Sequence, residues 1–308
     1  MPLNTTYRPT DFNGLVGNES TVESLNSVLN RESDVPHSFL FTGPAGTGKS
    51  TCALILKNIL GCSSSDFHLY NAASSRGIDT IREIIENSHF MPMGGDKKLI
   101  ILEECHQLTV PAQESLLVIL EEPPKHVYFA LCTTLPEKLK PTLKRRCHHY
   151  ELKELSIPQT KKFLKGILEE EGVKDFSKDA IDKIANVCNG SAGKALNLLD
   201  TIIDIADPDL ALKTIEDATV SEANIVEIAR LLLSGRSEWK AIATKIKGLT
   251  GEAESLRYAF LGYFQAVLLS KGTSDVAEVM TIFCDSVMYS GKPGLTTEIF
   301  FAYKALLK

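Results

Sequence analysis

The sequence predicts an α/β protein. A five-stranded parallel sheet with helices on both faces comes first, then a small helical segment, then a larger all-helical one. Three observations carry this. Over the first half of the chain, short apolar runs alternate with amphipathic helical patterns, which on one chain implies parallel strands joined by helical crossovers. A glycine-rich loop, Gly43-Pro44-Ala45-Gly46-Thr47-Gly48-Lys49-Ser50, separates the first of those runs from the first long helical pattern. Beyond Leu155, strand patterns stop and only helical ones follow.

Taken in order, Tyr7 to Phe12 is turn-like, and Val22, Leu25, Val28 and Leu29 mark a short lead-in helix. Ser38-Phe39-Leu40-Phe41 is the first strand, and Ala53, Leu56, Ile59 and Leu60 give the helix after the glycine-rich loop. Gly61-Cys62-Ser63-Ser64-Ser65 breaks it. Phe67 to Tyr70, Lys98 to Leu102, Val127 to Cys132 and His148 to Leu152 supply the other strands. Between them lie helices marked by Ile78, Ile81, Ile84 and Ile85, and by Leu116, Leu117 and Leu120. Ligands of such sheets bind at the carboxyl ends of the strands.

Three helices follow. One begins near Pro158, one runs from Ser177 to Cys188, and one starts after Asn189-Gly190-Ser191 and is stopped by Asp207-Pro208. About five more are expected near 222–234, 237–248, 252–271, 275–289 and 295–307, with breaks at Gly235, Gly251, Gly272 and Gly291-Lys292-Pro293-Gly294. The resulting division is 1–155, 156–208 and 209–308.

Composition excludes some classes. No apolar run reaches the length of roughly 18 residues that a membrane helix needs, and the start lacks a basic region followed by an apolar one. A cytosolic protein with no membrane partner is the expectation. The seven cysteines form no C-x-x-C pair and mostly lie in apolar runs, so buried thiols are expected and no zinc site. A net charge of −6 argues against general DNA coating while allowing a local basic surface.

The chemistry begins with the loop. Its glycines let backbone N–H groups close around a polyphosphate, and the helix N-terminus adds a partial positive charge. Lys49 would reach the β/γ-phosphates, and Ser50, followed by Thr51, would hold Mg²⁺. A flexible glycine-rich connection is the structural alternative. The strand Leu99 to Leu102 ends in Glu103-Glu104, which would serve the metal shell through water and orient attacking water respectively; alternatively the pair begins a solvated turn. Thr133-Thr134 places hydroxyls where the γ-phosphate or the attacking water would lie, although threonine is frequent at strand ends. Lys144-Arg145-Arg146 is a basic cluster that reads either as a solvated turn or as the source of an arginine finger, Arg146, inserted into a neighbouring subunit's site.

Together these segments resemble the clamp-loader branch of the AAA+ ATPases, which includes the bacterial DNA polymerase III tau/gamma subunits and the small subunits of replication factor C. The resemblance covers nearly all of residues 7–155: Tyr7-Arg8-Pro9, Val16-Gly17, the phosphate loop, Asn71 to Asp79, Glu103 to Thr109, Leu120-Glu121-Glu122-Pro123-Pro124, Thr133-Thr134 and Arg145-Arg146-Cys147. It implies an AAA+ domain, a three-helix lid and a helical collar that joins subunits, copies of this chain among them, in a ring or spiral. It also implies ATP and Mg²⁺ at subunit interfaces, and a sliding clamp and primer-template DNA as partners. By position, Tyr7, Arg8, Val16 and Gly17 would line the adenine pocket, Thr133 would be sensor one and Arg146 would act in trans. DNA phosphates would meet helix N-termini near Arg76, Thr109 and Gln113, with ordinary helix capping as the alternative for each, and His89-Phe90-Met91-Pro92-Met93 would anchor the clamp, with a core role for its Phe and Met residues as the alternative.

The sequence departs from the family at three places. The four-cysteine zinc module of tau/gamma is reduced to Cys62 beside three serines, and Glu103 stands where an aspartate is usual. The sensor-two arginine aligns with Gly193, where the text looks like the non-hydrolysing delta-prime subunits; Lys194 would substitute as a point charge. The rival readings are accordingly a delta-prime-like scaffold that binds nucleotide without turnover, and another AAA+ motor such as a helicase loader or branch-migration helicase.

Overall fold

The computed structural model describes residues 2–31, 33–173, 175–235, 237–249, 253–287 and 289–307. The chain divides into two compact units, Met1–Ile203 and Asp204–Lys308. In the first, a four-residue helix α1 (Leu3–Thr6) and helix α2 (Glu19–Leu29) precede strand β1 (Ser38–Thr42). Then come α3 (Lys49–Leu60), β2 (Phe67–Asn71), α4 (Ile78–Ser88), β3 (Lys98–Glu103), α5 (Val110–Glu121), β4 (Val127–Thr133), α6 (Pro141–Arg145) and β5 (His148–Glu151). The strands form one sheet in the order β2-β3-β4-β1-β5, parallel throughout.

Alternation along the strands explains their uninterrupted apolar runs. Phe39, Phe41, Leu99, Ile101, Tyr128 and Ala130 share one core with Cys52, Ile55 and Leu56 of α3. Leu40, Ile100, Leu102, Phe129 and Leu131 share another with Ile81 and Ile84 of α4 and Leu116, Ile119 and Leu120 of α5. The inner strands β1, β3 and β4 are buried on both faces, so they can expose function only at their ends. Register brings those ends level, with Thr42 beside Thr133 and Asn71 beside Glu103.

Helices α7 (Ile157–Glu170), α8 (Lys178–Val187) and α9 (Ala192–Ile202) complete this unit. Each starts at a serine whose hydroxyl takes a free backbone N–H: Ser156, in a capping box with Gln159, then Ser177 and Ser191. Six of the seven cysteines are buried, as their apolar surroundings predict, and Cys284 is exposed.

The second unit contains α10 (Pro208–Ser234), α11 (Trp239–Ile246), α12 (Ala253–Lys271), α13 (Ser274–Ile282) and α14 (Gly291–Leu306). They pack on a core that includes Ile228, Leu232, Phe260, Phe264, Phe283 and Ile299. Two expected breaks are helix starts instead. Pro208 opens α10, with Asp207 as its cap, and α9 has already ended at Ile202. Pro293 falls in the first turn of α14, where its missing N–H costs nothing. The helix expected over 275–289 ends at Ile282, and Arg257 takes the carbonyl of the C-cap Phe283 at 2.6 Å. The break expected at Gly251 lies outside the described residues. Among those described, no helix is long and apolar enough to cross a membrane.

Candidate nucleotide site

The loop leaving β1 is shaped by glycines at positive φ, two of them with no room for a side chain. Gly43 has φ 136°, and a Cβ there would lie 2.1 Å from the Leu152 carbonyl oxygen. Gly46 has φ 76°, and its Cβ would lie 2.0 Å from Ser191 Oγ, the cap of α9. Gly48 caps α3 in a left-handed conformation, which makes Lys49 and Ser50 the first helical residues. Thr47 Oγ1 donates to the Pro44 carbonyl at 2.9 Å.

Lys49 is buried, and its ammonium donates to the carbonyls of Gly43 at 2.9 Å and Pro44 at 2.6 Å. Burial lowers its pKa, opposed chiefly by the Glu104 carboxylate. A cation held only by neutral carbonyls in a partly desolvated site favours an incoming anion.

The loop floors a cleft of about 340 Å³. Ala45, Gly46, Thr47, Gly48, Lys49, Ser50 and Thr51 line it, while Gly43 and Pro44 stand behind as acceptors for Lys49. Tyr7, Arg8 and Val16 form part of the wall, and Glu104 and Thr134 also line it. Leu155, Phe163, Gly193 and Leu196 contribute from the helical side. Gly17 does not line the cleft; it packs against Leu155, whose Cδ2 a Cβ would approach to 2.6 Å. The Tyr7 hydroxyl donates to Glu171 Oε1 at 2.7 Å, and this bond, which phenolate cannot make, pushes its pKa up to about 12.

At the carboxyl edge, Glu103 closes β3 and Glu104 follows with φ 51°, a left-handed backbone that costs a non-glycine residue about 1–2 kcal/mol. That reversal starts a single 3₁₀ turn, Cys105–Gln107, which returns His106 beneath the acid. Of the two threonines, Thr133 is fully buried, its Oγ1 accepting from Leu135 N at 3.0 Å and lying 3.0 Å from His106 Nδ1. Thr134 lines the cleft and donates to Glu104 Oε2 at 3.4 Å. The structure therefore brings the second hydroxyl of the pair, and not Thr133, to the cleft. His106 belongs to the Glu103 to Thr109 segment that carries the resemblance, but the sequence assigns it no role.

Three expected residues stand apart. Glu103 and Lys194 do not line the cleft, although the Glu103 carboxylate lies near enough to Lys49 to favour its charged form, and the Lys194 backbone N–H is taken by Ser191 Oγ at 3.2 Å. Arg146 is half-exposed and donates to Glu121 Oε1 at 2.7 Å. Of the DNA-contact candidates, Gln113 is buried and spends its amide on Leu108 O and Lys140 N, so it cannot reach a phosphate. Thr109 caps α5. Phe90, Met91 and Met93 are exposed by 67%, 71% and 89%, which rules out a core role.

A family profile described as "DNA polymerase III, delta subunit" matches residues 62–156. Among curated proteins, the DNA polymerase III subunit gamma of Buchnera aphidicola is 31% identical over 67% of the chain and 62% of its own length. Subunit tau of Bacillus subtilis is 31% identical over 73% of the chain and 44% of its own length. That of Escherichia coli is 28% identical over 79% and 43%. The chain spans less than two thirds of each. Among solved structures, the Thermotoga maritima RuvB Holliday junction branch migration motor superposes with a TM-score of 0.56 at 20% identity, covering 79% of this chain and 86% of that one. A point variant of the same protein gives 0.57 at 19% identity over 85% and 91%. At such identities these structures speak to the fold alone, a parallel α/β sheet followed by helical segments. In sequence, the chain resembles the gamma/tau subunits.

Proposed function

We propose that this chain is an ATP-hydrolysing subunit of a loader that opens a sliding clamp and places it on primer-template DNA. One observation carries the reading. A phosphate loop, Glu104 and Thr134 meet in one cleft, while the basic residue expected to complete the site, Arg146, lies outside it on an exposed surface. A site built this way needs a neighbour, as in the assemblies that the gamma/tau resemblance implies.

In this reading the polyphosphate replaces Gly43 and Pro44 as the partner of Lys49. Tyr7, Arg8 and Val16 hold the base, with Gly17 supporting them from behind. Glu104 orients water and Thr134 reports on the γ-phosphate, the role expected of Thr133 from sequence. The Ser50 hydroxyl and, through water, Glu103 offer the hard oxygen donors that suit Mg²⁺, which would neutralise phosphate charge. Arg146 reaches the next subunit's site. Residues 1–155 form the motor, 156–208 the lid and 209–308 the collar. Helix N-termini near Arg76 and Thr109 face DNA phosphates. The exposed turn Phe90–Met93 fits an apolar pocket on the clamp; it is held by Lys98, whose ammonium binds the Asn87 and Phe90 carbonyls, and by Asp66, which binds Met93 N and Gly94 N. The working location is the bacterial cytoplasm and nucleoid, or the host cytoplasm if the source is viral.

A second reading, a scaffold that binds nucleotide without turnover, is favoured by Gly193 and by the delta-subunit profile. Steady-state ATP hydrolysis by the chain with its partner subunits separates the two. Stimulation by clamp plus primed DNA, lost in Lys49→Ala, supports the motor. Nucleotide binding with background turnover throughout supports the scaffold.

A further inference from the structure

We propose that His106 is a positioning residue that, as the neutral ring protonated at Nδ1, holds the Glu104 carboxylate and ties it to Thr133 at the end of β4. The inference rests on the reading of Glu104 as the group that orients water. His106 Nδ1 lies 3.3 Å from Glu104 Oε2 and 3.0 Å from Thr133 Oγ1, and its side chain is only 4% exposed. The hydrogen bond at Nδ1 is to Thr133 Oγ1, and a hydrogen on Nδ1 also makes the approach to the Glu104 carboxylate, which only accepts, an attractive one. On the other side of the ring, Nε2 lies 3.0 Å from Gln107 Nε2, and with the amide in this orientation it accepts from Gln107. The contacts on both sides fit the tautomer with its hydrogen on Nδ1. Burial, the largest influence on the ring, keeps it neutral by lowering its pKa, against the pull of Glu104.

The arrangement constrains the acid from two strands. Both contacts to the carboxylate, from His106 Nδ1 and from Thr134 Oγ1 at 3.4 Å, fall on Oε2, which assigns the water to Oε1. Thr133 accepts from Leu135 N and from His106, anchoring the ring to the β4 terminus. Glu104 alone, on its left-handed backbone after β3, would swing through several rotamers. With His106 beneath it, its orientation follows that of β4.

The test uses isosteres. The Asn amide nitrogen mimics Nδ1, the Gln amide nitrogen mimics Nε2, and Ala offers no donor. In the assembled complex, His106→Ala and His106→Gln should lose about 10- to 100-fold in kcat with KM for MgATP within about threefold, as expected for a displaced reacting group. His106→Asn should recover several-fold over Gln, with thermal melts confirming that all three fold. Independently of turnover, ¹⁵N NMR of the labelled chain at pH 7.5 should show the His106 proton on Nδ1. A proton on Nε2, or a Gln variant as active as or better than Asn, overturns the inference. If wild type binds nucleotide but never turns it over, the hydrolysis reading fails, and the ring tautomer still decides this one.

Discussion

Arg146 donates to Glu121 at 2.7 Å, joining the turn before β5 to the last residue of α5 with both side chains half-exposed. The carboxylate sits at a helix C-terminus, where the helix dipole disfavours it, so the pair makes a poor stabilising device. Exposed pairs of this kind contribute at most about 1 kcal/mol. Arg146→Ala should leave the melting temperature within a degree or two and nucleotide binding intact. Hydrolysis by the assembled complex should fall by about 10³-fold or more, the usual effect of removing an arginine finger. Mixing Arg146→Ala with Lys49→Ala chains should restore part of the activity, because each supplies what the other lacks. Equal activity of Arg146→Ala and wild type would remove the finger from the account.

The phosphate loop is set by what its glycines pack against. Gly43→Ala combines φ 136° with a Cβ 2.1 Å from a backbone carbonyl that cannot rotate away. It should destabilise the first unit by roughly 2–4 kcal/mol, a sum of backbone strain and overpacking. Gly61→Ala is the control, since its Cβ would meet nothing within 4 Å and only φ 66° is unfavourable. Thermal unfolding should place Gly43→Ala well below it.

Much of this was legible in the sequence, for reasons that particular residues show. Phe39, Leu40 and Phe41 form a run buried on both faces, and only a covered parallel strand accepts that. The prolines misled because Pro208 and Pro293 sit in first turns, where they start helices as readily as they stop them elsewhere. Thr133 and Thr134 are indistinguishable in sequence; only the end of β4 decides which one reaches the cleft. The role of His106 depends on the reversed backbone of Glu104, which no periodicity encodes.

The second unit should carry a pH dependence of its own. Burial pushes Glu298 up to about 7 from an ordinary 4.5, with Arg257 opposing, and its Oε2 is buried without a partner. Because the fold favours the neutral acid, its contribution is complete below about pH 4.5 and is lost as pH rises through about 7. Glu298→Gln, neutral at every pH, should raise the unfolding temperature at pH 8 and change it little at pH 5. A difference of the same size at both values would contradict this origin.

The exposed turn offers a partner test. Phe90 and Met93 lie outside every core, so Phe90→Ala and Met93→Ala should alter stability by no more than about 0.5 kcal/mol. Clamp affinity should drop by about tenfold or more for at least one of them, the size expected when an apolar anchor is removed. Unchanged affinity for both, measured by fluorescence anisotropy with labelled clamp, would move the clamp surface elsewhere.

The most direct test of the central claim is deposition of a labelled sliding clamp on primed circular DNA by the complex containing this chain, with MgATP. Clamps should be retained on DNA after ATP addition with wild type, and none with Lys49→Ala. Vigorous ATP turnover without clamp deposition, accompanied by strand unwinding, would contradict it and make the chain a different kind of AAA+ motor.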